Sequence, residues 1–212
     1  MISPRFLFRF AAPCHKLKPL WPPAGPLHAR YRLPAPAELG DEPSYADVRA
    51  AWSEEGLRFT LRVSGKRHPA RCRETHPDES DGFHLLIDTR NRHDMHRATR
   101  FCHEFVFLPA GAGRRLDEPV VLQVRINRAR EDAPRAPQSA LAVKAERRID
   151  GYLLECFVAA AALTGFDPQE HRQLGFHYWI QDHELGLTTW CAPRELPHFD
   201  NPTLWGTLEL VD

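Results

Sequence analysis

Long apolar runs are missing from this sequence. No stretch approaches the ~18 consecutive apolar residues of a membrane-spanning helix, so no membrane partner is expected. Neither sign of charge is in excess: 28 Lys+Arg stand against 28 Asp+Glu. That balance lacks the basic surplus with which nucleic-acid-binding chains meet phosphate, and no nucleic-acid partner is expected. Cys-x-x-Cys pairs are absent too. The five cysteines (14, 72, 102, 156 and 191) are odd in number and widely scattered. They argue against a disulfide framework and for a reducing compartment. The opening Met1–Phe10 is apolar but broken by Arg5 and Arg9, so it lacks the unbroken apolar core of a signal peptide. The chain reads as cytoplasmic.

Enzyme signatures are also wanting. There is no G-x-S-x-G elbow, no phosphate-binding P-loop and no dinucleotide-binding glycine pattern. His103-Glu104 is followed by Phe105-Val106-Phe107, where a zinc protease would need its second His. Helical periodicity is nearly absent, and only Ala159–Leu163 has plausible helix propensity. The expectation is a protein that is not an enzyme, although paired carboxylates for glycoside hydrolysis meet only in space and leave no sequence trace.

What remains is period two. Leu57, Phe59, Leu61 and Val63 alternate with polar residues, and Ser53-Glu-Glu-Gly56 supplies a turn back to a strand over Tyr45–Trp52. Further strands are predicted over Phe83–Asp88, Arg100–Leu108, around Val120–Ile126, and over Leu174–Gln181 and Leu204–Leu210. A second hairpin joins Leu141–Arg147 to Tyr152–Val158 around Asp150-Gly151. Residues 182–186 read as a loop. About ten short strands define an all-β chain, an antiparallel sandwich of jelly-roll type. Phe6, Phe8 and Phe10 suggest one more strand at the start. The proline-rich stretch from Pro13 to Pro36 excludes a regular helix or a central strand and predicts an extended arm. The chain therefore divides into 1–44, a strand and arm packed on the domain, and 45–212, the sandwich.

Several pieces resemble the family 9 carbohydrate-binding modules and the wider DOMON-like sandwich group. They are Trp52-Ser-Glu-Glu-Gly-Leu-Arg-Phe-Thr-Leu61, Asp81-Gly-Phe-His-Leu-Leu-Ile-Asp88, Gly151-Tyr-Leu-Leu-Glu155, Leu174-Gly-Phe-His-Tyr-Trp-Ile-Gln-Asp182 and Trp205-Gly-Thr-Leu-Glu-Leu210. The sequence departs from that pattern in lacking an Asp-Gly pair before the first Trp and in carrying Ala159–Ala162 where many members place a Pro. The resemblance implies a sandwich that binds a ligand without performing chemistry on it, the ligands of the wider group being sugars or haem.

Sugar recognition needs flat apolar faces beside hydrogen-bonding groups. Trp52 and Trp205 lie in strand patterns and are expected in the core. Trp190, in the loop-like Thr188-Thr-Trp-Cys-Ala-Pro193, is the expected exposed platform. Trp179 and Tyr178 are adjacent and must face opposite sides of their strand. Arg90–Arg100 gathers four Arg and two His. Its Arg90, His93, His96, Arg97 and Arg100 suit an acidic sugar or another small anion, because guanidinium forks match carboxylate geometry. A solvated loop whose Arg residues pair with nearby acids is the plainer reading. His93, His96, Cys102 and His103 are zinc-type donors, but Cys102 and His103 would point to opposite faces of a strand. No calcium loop is legible, and haem would require one of the strand histidines 84, 103 or 177 as an axial ligand. The expected ligand is a saccharide or small anionic metabolite, no cofactor is favoured, and a partner-binding sandwich is the alternative.

Overall fold

The computed structural model describes residues 10–34, 44–191 and 196–212. Phe6 and Phe8 lie outside them. Eleven strands form among the described residues: β1 (Ala11–Lys16), β2 (Ala46–Ser53), β3 (Gly56–Ser64), β4 (Gly82–Asp88), β5 (Cys102–Ala112), β6 (Glu118–Val124), β7 (Leu141–Arg148), β8 (Gly151–Ala159), β9 (Gln173–Asp182), β10 (Gly186–Thr189) and β11 (Gly206–Val211). The Ala-rich stretch makes one 3-10 turn, Ala160–Ala162.

Hydrogen bonding links the strands in the order β6-β5-β4-β9-β11-β1-β2-β3-β8-β7, with β10 added beside β9. The path doubles over, so that one layer faces the other. The ring of Phe59 on β3 lies flat on Phe176 of β9, with centroids 5.8 Å apart and planes 5° from parallel. At the far ends β6 comes up against β7, and the sandwich nearly closes.

Alternation explains which side chains fill the space between the layers. On β3 they are Leu57, Phe59, Leu61 and Val63; on β4 they are Phe83, Leu85 and Ile87. On β9, Leu174, Phe176, Tyr178 and Ile180 face inward. Each buried side chain of this size contributes roughly 1.5–3 kcal/mol, and together they hold the layers face to face. Gly56 (φ +139°) and Gly151 (φ +148°) cap opposite ends of the β3–β8 ladder. A Cβ on either would collide with a carbonyl of the facing strand.

The structure corrects one expectation here: despite Pro13, residues 11–16 form a central strand. β1 runs parallel to β11 from Ala11 to His15 and parallel to β2 at His15 and Lys16. Phe10 accepts from Thr207 N–H, so even-numbered positions face β11 and Pro13 turns its missing donor to the β2 side, ahead of the first β2 pair. A proline is tolerated where no ladder bond is asked of it.

The chain then crosses the outer face of β2, β3 and β8. Leu20, Leu27 and Tyr31 are buried against Ala51 and Phe157, and Trp21 stacks on Phe157 at 5.5 Å. Polar bonds fix the same segment: Arg58 donates to the Gly25 carbonyl, Arg49 to that of Leu27, and Leu27 N–H to the Thr60 hydroxyl. Beneath it the buried pair Arg58–Glu155 closes at 2.9 Å, with Thr60 donating to the same carboxylate oxygen.

Candidate functional site

On the other layer, the outward-facing positions of β4, β5 and β9 carry an unusual set for a sheet face. His84 pairs across the ladder with Trp179, and Leu86 pairs with Glu104, so His84, Trp179 and Glu104 form one patch. The His84 imidazole stacks on the indole of Trp179, while its Nδ1 lies 3.5 Å from the Glu104 carboxyl. Half of this face is sealed by Ala98, Ile126 and Trp205, which pack on Leu86, Cys102 and Trp179. The other half opens as a cleft of about 330 Å³, whose walls add Asp78, Gln181, Arg125, Asn127 and Phe199.

Phe199 stands at the mouth of this cleft. It is 41 % exposed, one of the few large apolar side chains left open to solvent among the described residues, and it meets Trp179 edge-on at 4.7 Å. Behind it, His198 and His177 pack as a further aromatic layer, centroids 4.9 Å apart, and His198 accepts the Trp205 indole N–H through its carbonyl.

Burial sets the protonation of this patch. It pushes the Glu104 carboxyl up to about 8, helped by the negative charge of Asp78. It also pushes the His84 imidazole down to about 4, against the attraction of Asp78. At neutral pH both are uncharged: Glu104 is a hydrogen-bond donor through its acid proton, and His84 is a neutral ring. Burial, reinforced by His198, drives His177 far below the ordinary histidine range. The floor of the cleft is therefore aromatic and neutral, with polar groups around its edge.

The residues singled out in the sequence fall in different places. Trp179 lines the cleft, but its face is already taken by His84. Trp190 is not an exposed platform: it is 1 % exposed, packed among Phe10, Phe176 and Tyr178, and its indole N–H donates to the Pro34 carbonyl. Trp52 and Trp205 are buried, as their strand patterns suggest.

The Arg/His connection does not converge on one point. Arg90 donates to the Gly165 carbonyl and lies over Phe101. Arg97 donates to the Arg128 carbonyl, Arg100 lies 3.8 Å from Glu131, and Arg92 pairs with Asp94. His93 sits beside the Thr207 hydroxyl and His96 is exposed. Nor do the zinc-type donors assemble: Cys102 faces the outer apolar cluster, whereas His103, on the opposite face, accepts from the Thr164 N–H and stacks on Phe105. Among the described residues no three His, Cys, Asp or Glu side chains gather as a metal ion would require.

The motif aspartates organise loops. Lys66 reaches Asp81 at 3.0 Å and Asp182 at 2.5 Å in a buried cluster, and Asp81 also takes the N–H groups of Arg71 and His183. Asp88 accepts from the backbone of Arg90 and Arg92. Sequence reasoning missed Phe199, Asp78 and Glu104 as cleft residues. Phe199 alone carried a local signal, an aromatic in a proline-flanked loop.

The fold is similar to that of family 9 carbohydrate-binding modules. Two structures of such a module from Caldicellulosiruptor kristjanssonii superpose over nearly the whole chain. The one in complex with cellotriose gives a TM-score of 0.63 at 12 % identity, covering 95 % of this chain and 93 % of that one. The one in complex with glucose gives 0.64 at 12 % identity, covering 95 % and 96 %. A candidate carbohydrate-binding protein from Bacteroides uniformis matches with a TM-score of 0.51 at 14 % identity over 78 % of each chain. No family's sequence model and no curated protein matches the chain.

Proposed function

We propose that this protein is a non-catalytic saccharide-binding module and that the cleft over β4, β5 and β9 holds the sugar. The observation that carries the reading is Phe199, an exposed ring set beside a buried Trp179–His84 stack and ringed by Glu104, Asp78, Gln181 and Asn127. A sugar presents an apolar face of C–H groups and an equatorial rim of hydroxyls. A ring covers the first, and uncharged or acidic side chains pair with the second. The volume suits one or two sugar units. Asp78 within the cleft, and Arg125 drawn off to Asp132 at 3.3 Å, favour a neutral saccharide over an anionic one.

Support also comes from the fold, whose solved relatives were crystallised with glucose and cellotriose. The test is calorimetric titration with glucose, cellotriose and a panel of other neutral saccharides, with chromatography of the recovered sugar. Saturable binding of an unaltered sugar is expected, weakened about tenfold or more by Phe199→Ala. Failure of every sugar, or binding indifferent to Phe199→Ala, would overturn the reading.

A further inference from the structure

Val124 and Arg125 stand at one end of the cleft over β4, β5 and β9, and both also line a further cavity of about 330 Å³. That cavity lies beside β6, the last strand of its layer, beneath the chain that leaves the strand. The partition between the two spaces is a single solvated side chain. Arg125 is 87 % exposed and leans away to Asp132 at 3.3 Å.

The chain over residues 127–136 is tied down at both ends. At the near end Arg128 turns at φ +55°, a conformation that non-glycine residues seldom adopt, and Arg130 N–H donates to the Ala98 carbonyl at 2.8 Å. At the far end one side chain makes two ties. Gln123 Nε2 donates to the Pro134 carbonyl at 3.0 Å, and its Oε1 accepts from Ala136 N–H at 2.6 Å. Between these ties Glu131, Asp132 and Ala133 line the cavity. Ordering such an arm costs conformational entropy at every residue fixed. In return Ala129 and Ala136 are the side chains it packs on the apolar clusters.

The lining is apolar below and polar above. Cys102, Val124, Ile126 and Ala129 form the floor, and the rim sets Arg125 and Arg135 against Glu131 and Asp132. These lining charges cancel, so no ion is selected. Glu131 also meets Arg100 at 3.8 Å, and both ion pairs are solvated, so they contribute little to the fold. Their unused donors and acceptors stay open to a ligand. An apolar floor beneath mixed donors and acceptors matches the two aspects of a neutral sugar ring. At ~30 Å³ for a group the size of water, the cavity holds about eleven non-hydrogen atoms, the content of one hexose unit within a chain.

We propose that this groove is a second subsite of the saccharide site and that the ligand is a neutral oligosaccharide, its first unit against Phe199 and its next beneath the arm. The Arg125–Asp132 pair, standing between the two spaces, grips hydroxyls beside the glycosidic linkage, the guanidinium donating and the carboxylate accepting. The inference rests on the saccharide reading of the first cleft.

Calorimetry of the full chain with glucose and cellotriose tests it, with amide chemical shifts to locate each sugar. Glucose is expected to move the signals around Phe199 and Trp179. Cellotriose should also move those of residues 123–126 and 129–135, and bind about tenfold or more tightly, because linked units bind as one event. Ala133→Trp, which fills the groove, brings cellotriose down to the affinity of glucose and leaves glucose within about twofold of the parent. Arg135→Ala, which removes a donor from the rim, acts in the same direction. Phe199→Ala weakens both sugars, so the first cleft is read separately. Cellotriose no tighter than glucose, or arm signals unmoved by it, overturns the groove and leaves the Phe199 cleft standing. Absence of binding by both sugars overturns the groove as well, and the wider sugar panel then decides the first cleft by itself.

Discussion

The imidazole of His84 lies flat on the indole of Trp179, with ring centroids 4.3 Å apart and planes 17° from parallel. The protein thus covers with its own side chain one broad face of Trp179, and Phe199, 41 % exposed, is the cleft ring left open to solvent and, in the proposed function, to the sugar.

Substitutions at Phe199 follow directly. Phe199→Trp enlarges the exposed face and is expected to tighten binding of a responsive sugar by a few-fold. Phe199→Ala loosens it by about tenfold, since aromatic contacts of this kind are worth ~0.5–1.5 kcal/mol beyond buried area. Calorimetry on the three proteins orders them Trp, Phe, Ala; any other order sinks the assignment of Phe199 as the stacking ring.

The neutral patch sets a pH dependence with two slopes. Burial lowers His84 and His103 to about 4, and His177 further still. Unfolding lets these rings take up protons below about 6.5, so their contribution is complete above that pH and is lost as pH falls toward 4. Glu104 runs the other way: raised to about 8, its contribution is complete below about 4.5 and is lost as pH rises through 8. Three groups against one make stability climb from pH 4 to about 6.5, and Glu104, the most strongly raised of the buried carboxyls beside Asp88 and Glu155, makes it decline from there to 8. Each group changes the slope by at most ~1.4 kcal/mol per pH unit. Urea denaturation from pH 4 to 9 should therefore peak near 6.5. Glu104→Gln should flatten the alkaline limb and leave the acid one; an unchanged alkaline limb would refute the assignment.

Arg58 and Glu155 make a buried pair beneath the segment that follows β1. Arg58→Met leaves the carboxylate without its partner and is expected to cost about 3–5 kcal/mol, whereas the double variant Arg58→Met/Glu155→Leu recovers most of that loss. A double variant no better than the single one in chemical denaturation would show that the pair's charge is not what matters there.

Leu20 is fully buried where residues 17–34 cross the sheet. Leu20→Ala should cost about 2–5 kcal/mol and open that segment to protease before the rest of the chain. Simultaneous cleavage throughout would mean the segment unfolds only with the whole domain.

Much of the fold was legible because period two is written in neighbouring residues: Leu57, Phe59, Leu61 and Val63 announce a strand with no help from the rest of the chain. Strand β10 escaped notice because its four residues, Gly186–Thr189, carry no apolar alternation and pair with β9 only by position. Trp190 misled because Thr188–Pro193 reads as loop, while its burial depends on Phe10 and Pro34, more than 150 positions away. The candidate cleft was legible only in Trp179. Asp78, Glu104 and Phe199 meet through three separate folds of the backbone, and the Arg/His run that looked concentrated on paper is spread by its own turns onto separate carbonyls.

The parallel insertion of β1 between β11 and β2 also gives the fold a contact of very long sequence separation. Ala11 finds its partner Thr207 across nearly the whole described chain, so this pairing joins segments far apart in sequence. Contacts of such separation belong to slowly folding topologies.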